Sequence, residues 1–396
     1  MNICLFADSF LPKIGGMELA IHYLADALCK KGCRVTVIAK YYRGEMPFAH
    51  QYTLRRYGNR IPFSGRTGLD ALAGVASLLM AHSREAFEVV NSHGSSLAAS
   101  RVYLAKKSGL FKKPFIITPH GEDVQIVPEV GYGIRLKPKW DRIVRRNLQA
   151  ADHVTAISTS IINQLDFIPS DRISIIPNGI HLSEFSTLEK GFLQQRLGLA
   201  QQDKIVLSVG RNRRVKGYEY GVRAFAAIKK EWPECDLKYV IIGKKTDELR
   251  PLIRNLNLHS TVYTIPHMSR EEIVKAYASA WCFLSPSLSE GLSLVSIEAI
   301  ACGLPLVVSN VPGNADIVRD NGCGIIVKGK DPGEIARKLI HLLKYRREYD
   351  LYRERALNRA PSYDWSAIAD RYIEVYRQVA ARKQRSAGRS RLQAAA

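Results

Sequence analysis

A repeated alternation of short apolar runs with helical patterns constrains this chain more than any other feature. "NICLFAD", starting at Asn2, carries apolar residues at consecutive positions. A strand covered on both faces of a parallel sheet has that pattern, whereas a strand with one wet face alternates. "GGMELAIHYLADALCKKG" follows, with Leu19, Tyr23, Leu24, Ala27 and Leu28 at helical spacing and Gly32 as a stop. "RVTVIAK", "FEVVNSH", "FIITPH", "HVTAIS" and "ISIIPNG" read as further strands. The cycle begins again at "KIVLSVG", residues 204–210, and runs through "KYVIIG", "VYTI", "CFLSPS", "LPLVVS" and "GIIVK". Alternating strands and helices predict doubly wound α/β domains, and 396 residues suffice for two cores.

The first domain is expected over 1–180. Near "IPNGIHLSEFSTLE" the strand signals give way to polar residues, and the second domain is expected over 181–365. "YDWSAIADRYIEVYRQVAARK" has the spacing of an amphipathic final helix, with 366–383 as its body. Residues 384–396 read as a disordered basic tail. "LDALAGVASLLMA" from Leu69 is too short to span a bilayer and reads as a buried helix. No basic leader precedes the first apolar run, so no secretory signal is expected. Seven cysteines are scattered, with Cys29 and Cys33 the nearest pair and no second pair to complete a zinc set. Reduced thiols in a cytosolic protein are the expectation.

The formal net charge is +21. Residues 1–180 hold 23 basic and 14 acidic residues, and the stretch 101–146 alone holds 11 and 4. Such patches attract phosphates, anionic lipid or nucleic acid; the plain alternative is a solvated basic face. Nucleic acid is not expected as a partner, because neither a nucleic-acid motif nor a series of stacking aromatics accompanies the charge.

Three stretches carry polar residues where chemistry could occur. "KIGGME" follows the first strand, and Gly15 and Gly16 allow close backbone approach ahead of helix amides that can face an anion; an ordinary strand-to-helix turn is the other reading. The dinucleotide fingerprint and the P-loop are both absent, which weakens dehydrogenase and nucleoside-triphosphatase readings. "VGRNRRVKG" puts Arg211 and Lys216 just beyond a strand end, where ligands gather in open α/β sheets. A guanidinium fork and an ammonium suit a diphosphate, while Arg213 and Arg214 are expected to face solvent. "SLSEGLSLVSIEAIACGLPLVVSN" places Glu290 in a loop and Glu298 inside a helix expected from about Leu292 to Cys302. Carboxylates among apolar residues are costly unless bonded. Glu298 could accept two ribose hydroxyls, and Glu290 could do the same for a sugar.

Together with "TPHGED", "IPNGI" and the late "YDWSAIADRYIEVY", these stretches resemble the retaining glycosyltransferases of the GT-B fold with an E-x7-E signature, the glycosyltransferase family 4 or group 1 type. The resemblance covers nearly the whole chain and is strongest in its last two-thirds. It implies two Rossmann-like domains facing a cleft, with the C-terminal helix crossing back to the first domain. It implies that Glu298 binds the ribose of a nucleotide sugar and Glu290 contacts the transferred sugar. Leu292, Ser293 and Leu294 would present backbone groups to sugar and phosphate. Arg211 and Lys216 would neutralise the diphosphate, and Gly15 and Gly16 would approach the donor. His120 would lie near the reacting sugar, or else be a satisfied strand-end histidine, and His93 is expected to be structural. Asn178 and Gly179 would shape the turn between domains. Leu292 and Ser293 stand where Phe-Gly is frequent in the family, which leaves donor choice open.

The implied reaction moves a sugar from a UDP-sugar or GDP-mannose type of donor to a lipid-linked or saccharide acceptor, in bacterial polysaccharide, lipopolysaccharide or glycolipid synthesis. The nucleotide sugar is a substrate, and no cofactor is expected. No D-x-D occurs, so no metal ligands are assigned; Arg211 and Lys216 can stabilise the leaving group instead. Localisation is expected to be cytoplasmic, peripheral on an anionic membrane face. A sugar-nucleotide epimerase on the same fold and a non-enzymatic basic binding protein are the alternatives.

Overall fold

The computed structural model describes residues 1–58, 69–185 and 190–395. It divides into two compact units, Met1–Gly179 with Trp365–Ala396, and Ile180–Asp364. Each is an α/β unit built on a parallel sheet. The chain passes between them at two neighbouring points, where Ile180 N donates to Tyr363 O at 2.8 Å and Leu182 N to Asp364 Oδ2 at 3.2 Å.

The first unit holds β1 (Asn2–Ala7), β2 (Arg34–Lys40), β3 (Thr53–Tyr57), β4 (Val89–His93), β5 (Phe115–Thr118), β6 (His153–Ala156) and β7 (Ile173–Ile175). They pair in the order β3-β2-β1-β4-β5-β6-β7, all parallel. The order reverses between β1 and β4, and the crevice beyond the carboxyl ends of such strands is where open sheets take ligands. Ile3, Leu5 and Phe6 are completely buried, as their unbroken apolar run requires. β3, "TLRRY", was not among the strands read from the sequence. It is an edge strand, buried only at Tyr57, and its Arg55 pairs with Glu85 at 2.5 Å, so it lacks an apolar signal.

The C-terminal helix, Trp365–Ala395, belongs to this first unit. Trp365, Ile368, Ala369, Tyr372 and Tyr376 share one core with Ile3, Leu5, Leu24 and Leu28. Several polar links fix it. Tyr376 OH accepts from Asn91 Nδ2 at 2.8 Å in the buried centre of β4. Lys383 Nζ meets Asp152 Oδ1 at 2.6 Å, while Lys106 Nζ holds the other carboxylate oxygen at 2.6 Å. The helical backbone continues to Ala395, over the stretch expected as a basic tail. Ala, Arg, Gln and Leu dominate that stretch and favour the helix, and Arg382 and Lys383 anchor its start. Replacing Tyr376 with phenylalanine should strand the buried Asn91 amide and cost about 1–3 kcal/mol. A lowered denaturation midpoint checks this; an unchanged midpoint would mean that the pair does not anchor the helix.

The Leu69–Glu85 helix, read from the sequence as buried, is covered on one side. Leu78 and Ala81 are buried, but Leu72 is 64% and Met80 59% exposed. Its apolar residues run around the helix, so the pattern does not reveal which face is covered. No described helix is long and apolar enough to cross a membrane.

The second unit holds β8 (Lys204–Val209), β9 (Leu237–Ile242), β10 (Val262–Ile265), β11 (Cys282–Ser285), β12 (Leu306–Ser309) and β13 (Gly324–Val327). Their order is β10-β9-β8-β11-β12-β13, again all parallel. Ile205, Leu207 and Val209 enter the core on one face and Val206 enters the core on the other, which is the period of two of a doubly covered strand. Here the order reverses between β8 and β11. All seven cysteines are free thiols.

Candidate active site

The loops after β8 and β11 meet at the reversal point of the second sheet. Val215 is buried between polar neighbours, and its carbonyl accepts from Leu288 N at 2.7 Å. Gly217 has φ +61, and a Cβ there would lie 2.3 Å from Pro286 O; only glycine lets these two backbones approach so closely. The contact brings Lys216 from one loop against Glu290 from the other, Nζ to Oε1 at 2.6 Å. Ser287 Oγ donates to the same oxygen at 2.8 Å. Sequence reasoning read these two residues in separate motifs. Arg211, Arg213 and Arg214 are exposed.

The helix after Glu290 begins at Leu294 and ends at Ala301, later and shorter than its sequence pattern suggests. Ser293 is its N-cap residue but makes no side-chain cap. Helix-start amides left uncapped this way suit an acceptor oxygen. Leu292 is half-buried and Ser293 buried beside them. Gly313, on the next helix (Pro312–Asn321), supports the loop: a Cβ there would lie 2.2 Å from Gly291 O and 2.3 Å from Glu290 O.

Glu298 is buried, 8% exposed, and both carboxylate oxygens are engaged. Arg270 Nη1 donates to Oε1, and Tyr277 OH donates to Oε2 at 2.8 Å. Arg270 also grips Glu184 Oε2 through Nε at 3.0 Å and Nη2 at 2.8 Å. Burial lowers the Arg270 pKa, but Glu298 and Glu184 outweigh it and leave it raised. Burial, then the Glu298 charge, pushes the Tyr277 phenol well up. Sequence reasoning missed Glu184, Arg270 and Tyr277. "MSREE" signals only a helix start, and Ser269 and Glu272 do form a capping box there.

In the first unit, Gly15 is the N-cap and Gly16 the first residue of the Gly16–Lys30 helix. The buried Glu18 folds back over that turn, so that a Cβ on Gly15 would lie 2.4 Å from its Oε2. Ser9 Oγ donates to the other oxygen. A carboxylate of the chain thus lies at the turn that the sequence suggested for an anion. His120 follows β5, and its Nε2 is 3.0 Å from His93 Nδ1. Asp123 Oδ1 accepts from the His120 and Gly121 amides at 2.9 and 3.0 Å and fixes this loop. Burial lowers the His120 pKa against the pull of Asp123 and Glu18. Burial, then His120 itself, holds His93 well below the usual range. His93, read as structural, is therefore the hydrogen-bond partner of His120.

Residues 189–359 match the family model for glycosyl transferases group 1, and residues 14–184 match that for glycosyltransferase family 4. The chain belongs to the glycosyltransferases of the GT-B type. A D-inositol 3-phosphate glycosyltransferase from Acidothermus cellulolyticus is 32% identical over 226 residues, 55% of this chain and 50% of that protein. The chain thus spans about half the length of that relative. The enzyme of the same name from Frankia alni is 26% identical over 387 residues, covering 92% of this chain and 94% of that one. Among solved structures, a sucrose-phosphate synthase from Thermosynechococcus elongatus superposes with a TM-score of 0.78 at 21% identity, covering 96% of this chain and 99% of that chain.

Proposed function

We propose that this chain transfers a sugar from a nucleoside-diphosphate sugar to an acceptor hydroxyl, with retention of anomeric configuration and without a metal ion or cofactor. The observation that carries the reading is the Lys216–Glu290 pair, 2.6 Å apart at the reversal point of the second sheet, in the loop leading to an uncapped helix start. Lys216 and Arg211 stabilise the leaving diphosphate, and the Leu292, Ser293 and Leu294 backbone supports it. Glu290 bonds the transferred sugar and orients Lys216. Glu298 takes the ribose. The bond from the anomeric carbon to the diphosphate breaks as the acceptor oxygen bonds the same face. The acceptor proton passes to the leaving phosphate oxygen.

Proton NMR of the first product formed from an α-configured sugar nucleotide tests this reading. The α-anomer should appear first, together with nucleoside diphosphate. A β-anomer would overturn retention, and an epimerised sugar nucleotide without released diphosphate would mark the isomerase alternative.

The acceptor side takes place at an anionic membrane face, on lipid-linked glycans of bacterial polysaccharide or lipopolysaccharide type. Leu104 and Leu110 are 41% and 65% exposed, alongside the exposed Lys107, Lys112 and Lys113. Apolar residues among lysines suit such an interface, at about 1 kcal/mol per basic residue. Phe111 is buried and Lys106 is committed to Asp152, so neither contributes. Inositol 3-phosphate in the relatives' names supports a second reading, a small acidic acceptor held by the same charge. The protein should sediment with phosphatidylglycerol vesicles at low salt, release at high salt and ignore neutral vesicles. Reversing Lys107, Lys112 and Lys113 to glutamate should abolish sedimentation. Absence of binding to anionic vesicles at low salt would leave the acidic acceptor as the reading.

A further inference from the structure

We propose that Arg270 and Tyr277 are positioning residues that set the Glu298 carboxylate for a vicinal diol, with Glu184 holding Arg270 in place. The inference rests on the ribose reading of Glu298 and adds how ribose is selected. An ionised carboxylate offers about four acceptor positions. Arg270 takes one on Oε1 and Tyr277 one on Oε2, the latter at 2.8 Å. One further position remains on each oxygen, which matches two neighbouring hydroxyl donors. Fixing both oxygens also fixes the carboxylate plane, so its rotation is not frozen at the moment of binding.

Arg270 is itself held at three points. Nε and Nη2 bind Glu184 at 3.0 and 2.8 Å, and its Cζ lies 5.4 Å from the centre of the Phe185 ring. The remaining fork nitrogen, Nη1, then points at Glu298. The one guanidinium thus donates to both carboxylates, and its place between them is set by Glu184. A purely structural ion pair gives little net stability and would be indifferent to the sugar of a nucleotide.

Calorimetry with UDP and 2′,3′-dideoxy-UDP, repeated with GDP and 2′,3′-dideoxy-GDP, separates these roles. The unmodified protein should prefer the ribonucleotide of the base it accepts by about tenfold or more. Arg270→Gln should lose about tenfold of the ribonucleotide affinity and less than twofold of the dideoxy affinity. Tyr277→Phe should lose in the same selective way, which covers the case of an Arg270 variant that folds poorly. Equal losses on both nucleotides would overturn the positioning role and leave the ribose reading standing. Equal binding of both nucleotides by the unmodified protein would overturn the ribose reading and the proposal with it.

Discussion

Replacing Lys216 with alanine should lower turnover by about 10²–10³-fold, the usual loss when a preorganised group facing developing negative charge is removed. The expectation comes from where the ammonium sits. Lys216 closes the loop after β8, against Glu290 at 2.6 Å, and its side chain is 23% exposed. It is therefore held in place yet open to a ligand. In the proposed reaction, charge would accumulate on the diphosphate as the sugar leaves, and an oriented ammonium would stabilise that charge without reorganising. Lys216→Ala leaves Glu290 with Ser287 as a donor, so the fold should persist, which circular dichroism would verify. Lys216→Arg should recover only part of the rate, because a planar fork replaces a point charge. Near-normal turnover of the alanine variant would remove Lys216 from the reaction. Chelators should leave the unmodified protein's rate unchanged, and a strict need for a divalent metal would contradict the assigned role of the two basic side chains.

Glu290 and Glu298 should fail in different ways. Glu298→Gln keeps the volume but puts an amide where Arg270 Nη1 and Tyr277 OH both donate. One of them loses its acceptor or faces another donor, so affinity for bare nucleoside diphosphate should fall by about tenfold or more. Glu290→Gln releases Lys216 from an ion pair and should spare binding of the bare nucleotide, while slowing sugar transfer by about 10²-fold or more. Calorimetry with the nucleotide and initial-rate measurements with the sugar nucleotide separate the two. Equal loss of nucleotide affinity in both variants would contradict this division.

The six strands of the second sheet are all legible in the sequence, and the inner four, β8, β9, β11 and β12, leave apolar runs buried at nearly every position. β3 is not, because an edge strand with Arg55 and Arg56 carries no such run. The spacing shows an amphipathic helix after Trp365, and only the family resemblance says which core receives it. That depends on Asn91, 285 residues before its partner Tyr376. The same limit governs the site. Glu290, Glu298, Arg211 and Lys216 lie in stretches whose polar residues interrupt apolar patterns, so they draw attention. Arg270 and Glu184 lie in ordinary polar helix-start and loop sequence, and their meaning comes only from Glu298 across 28 residues and from each other across 86. Glu18 is legible only as part of "GGME"; that it lies against the glycine turn depends on the helix geometry.

Release of nucleoside diphosphate from a panel of UDP- and GDP-sugars, with chelator present and water as the acceptor, tests the proposed metal-free cleavage of a sugar nucleotide. Release should occur from one class of sugar nucleotide, unaffected by chelator and lost in Lys216→Ala. Release from no member of the panel, with no calorimetric binding of UDP or GDP, would contradict it.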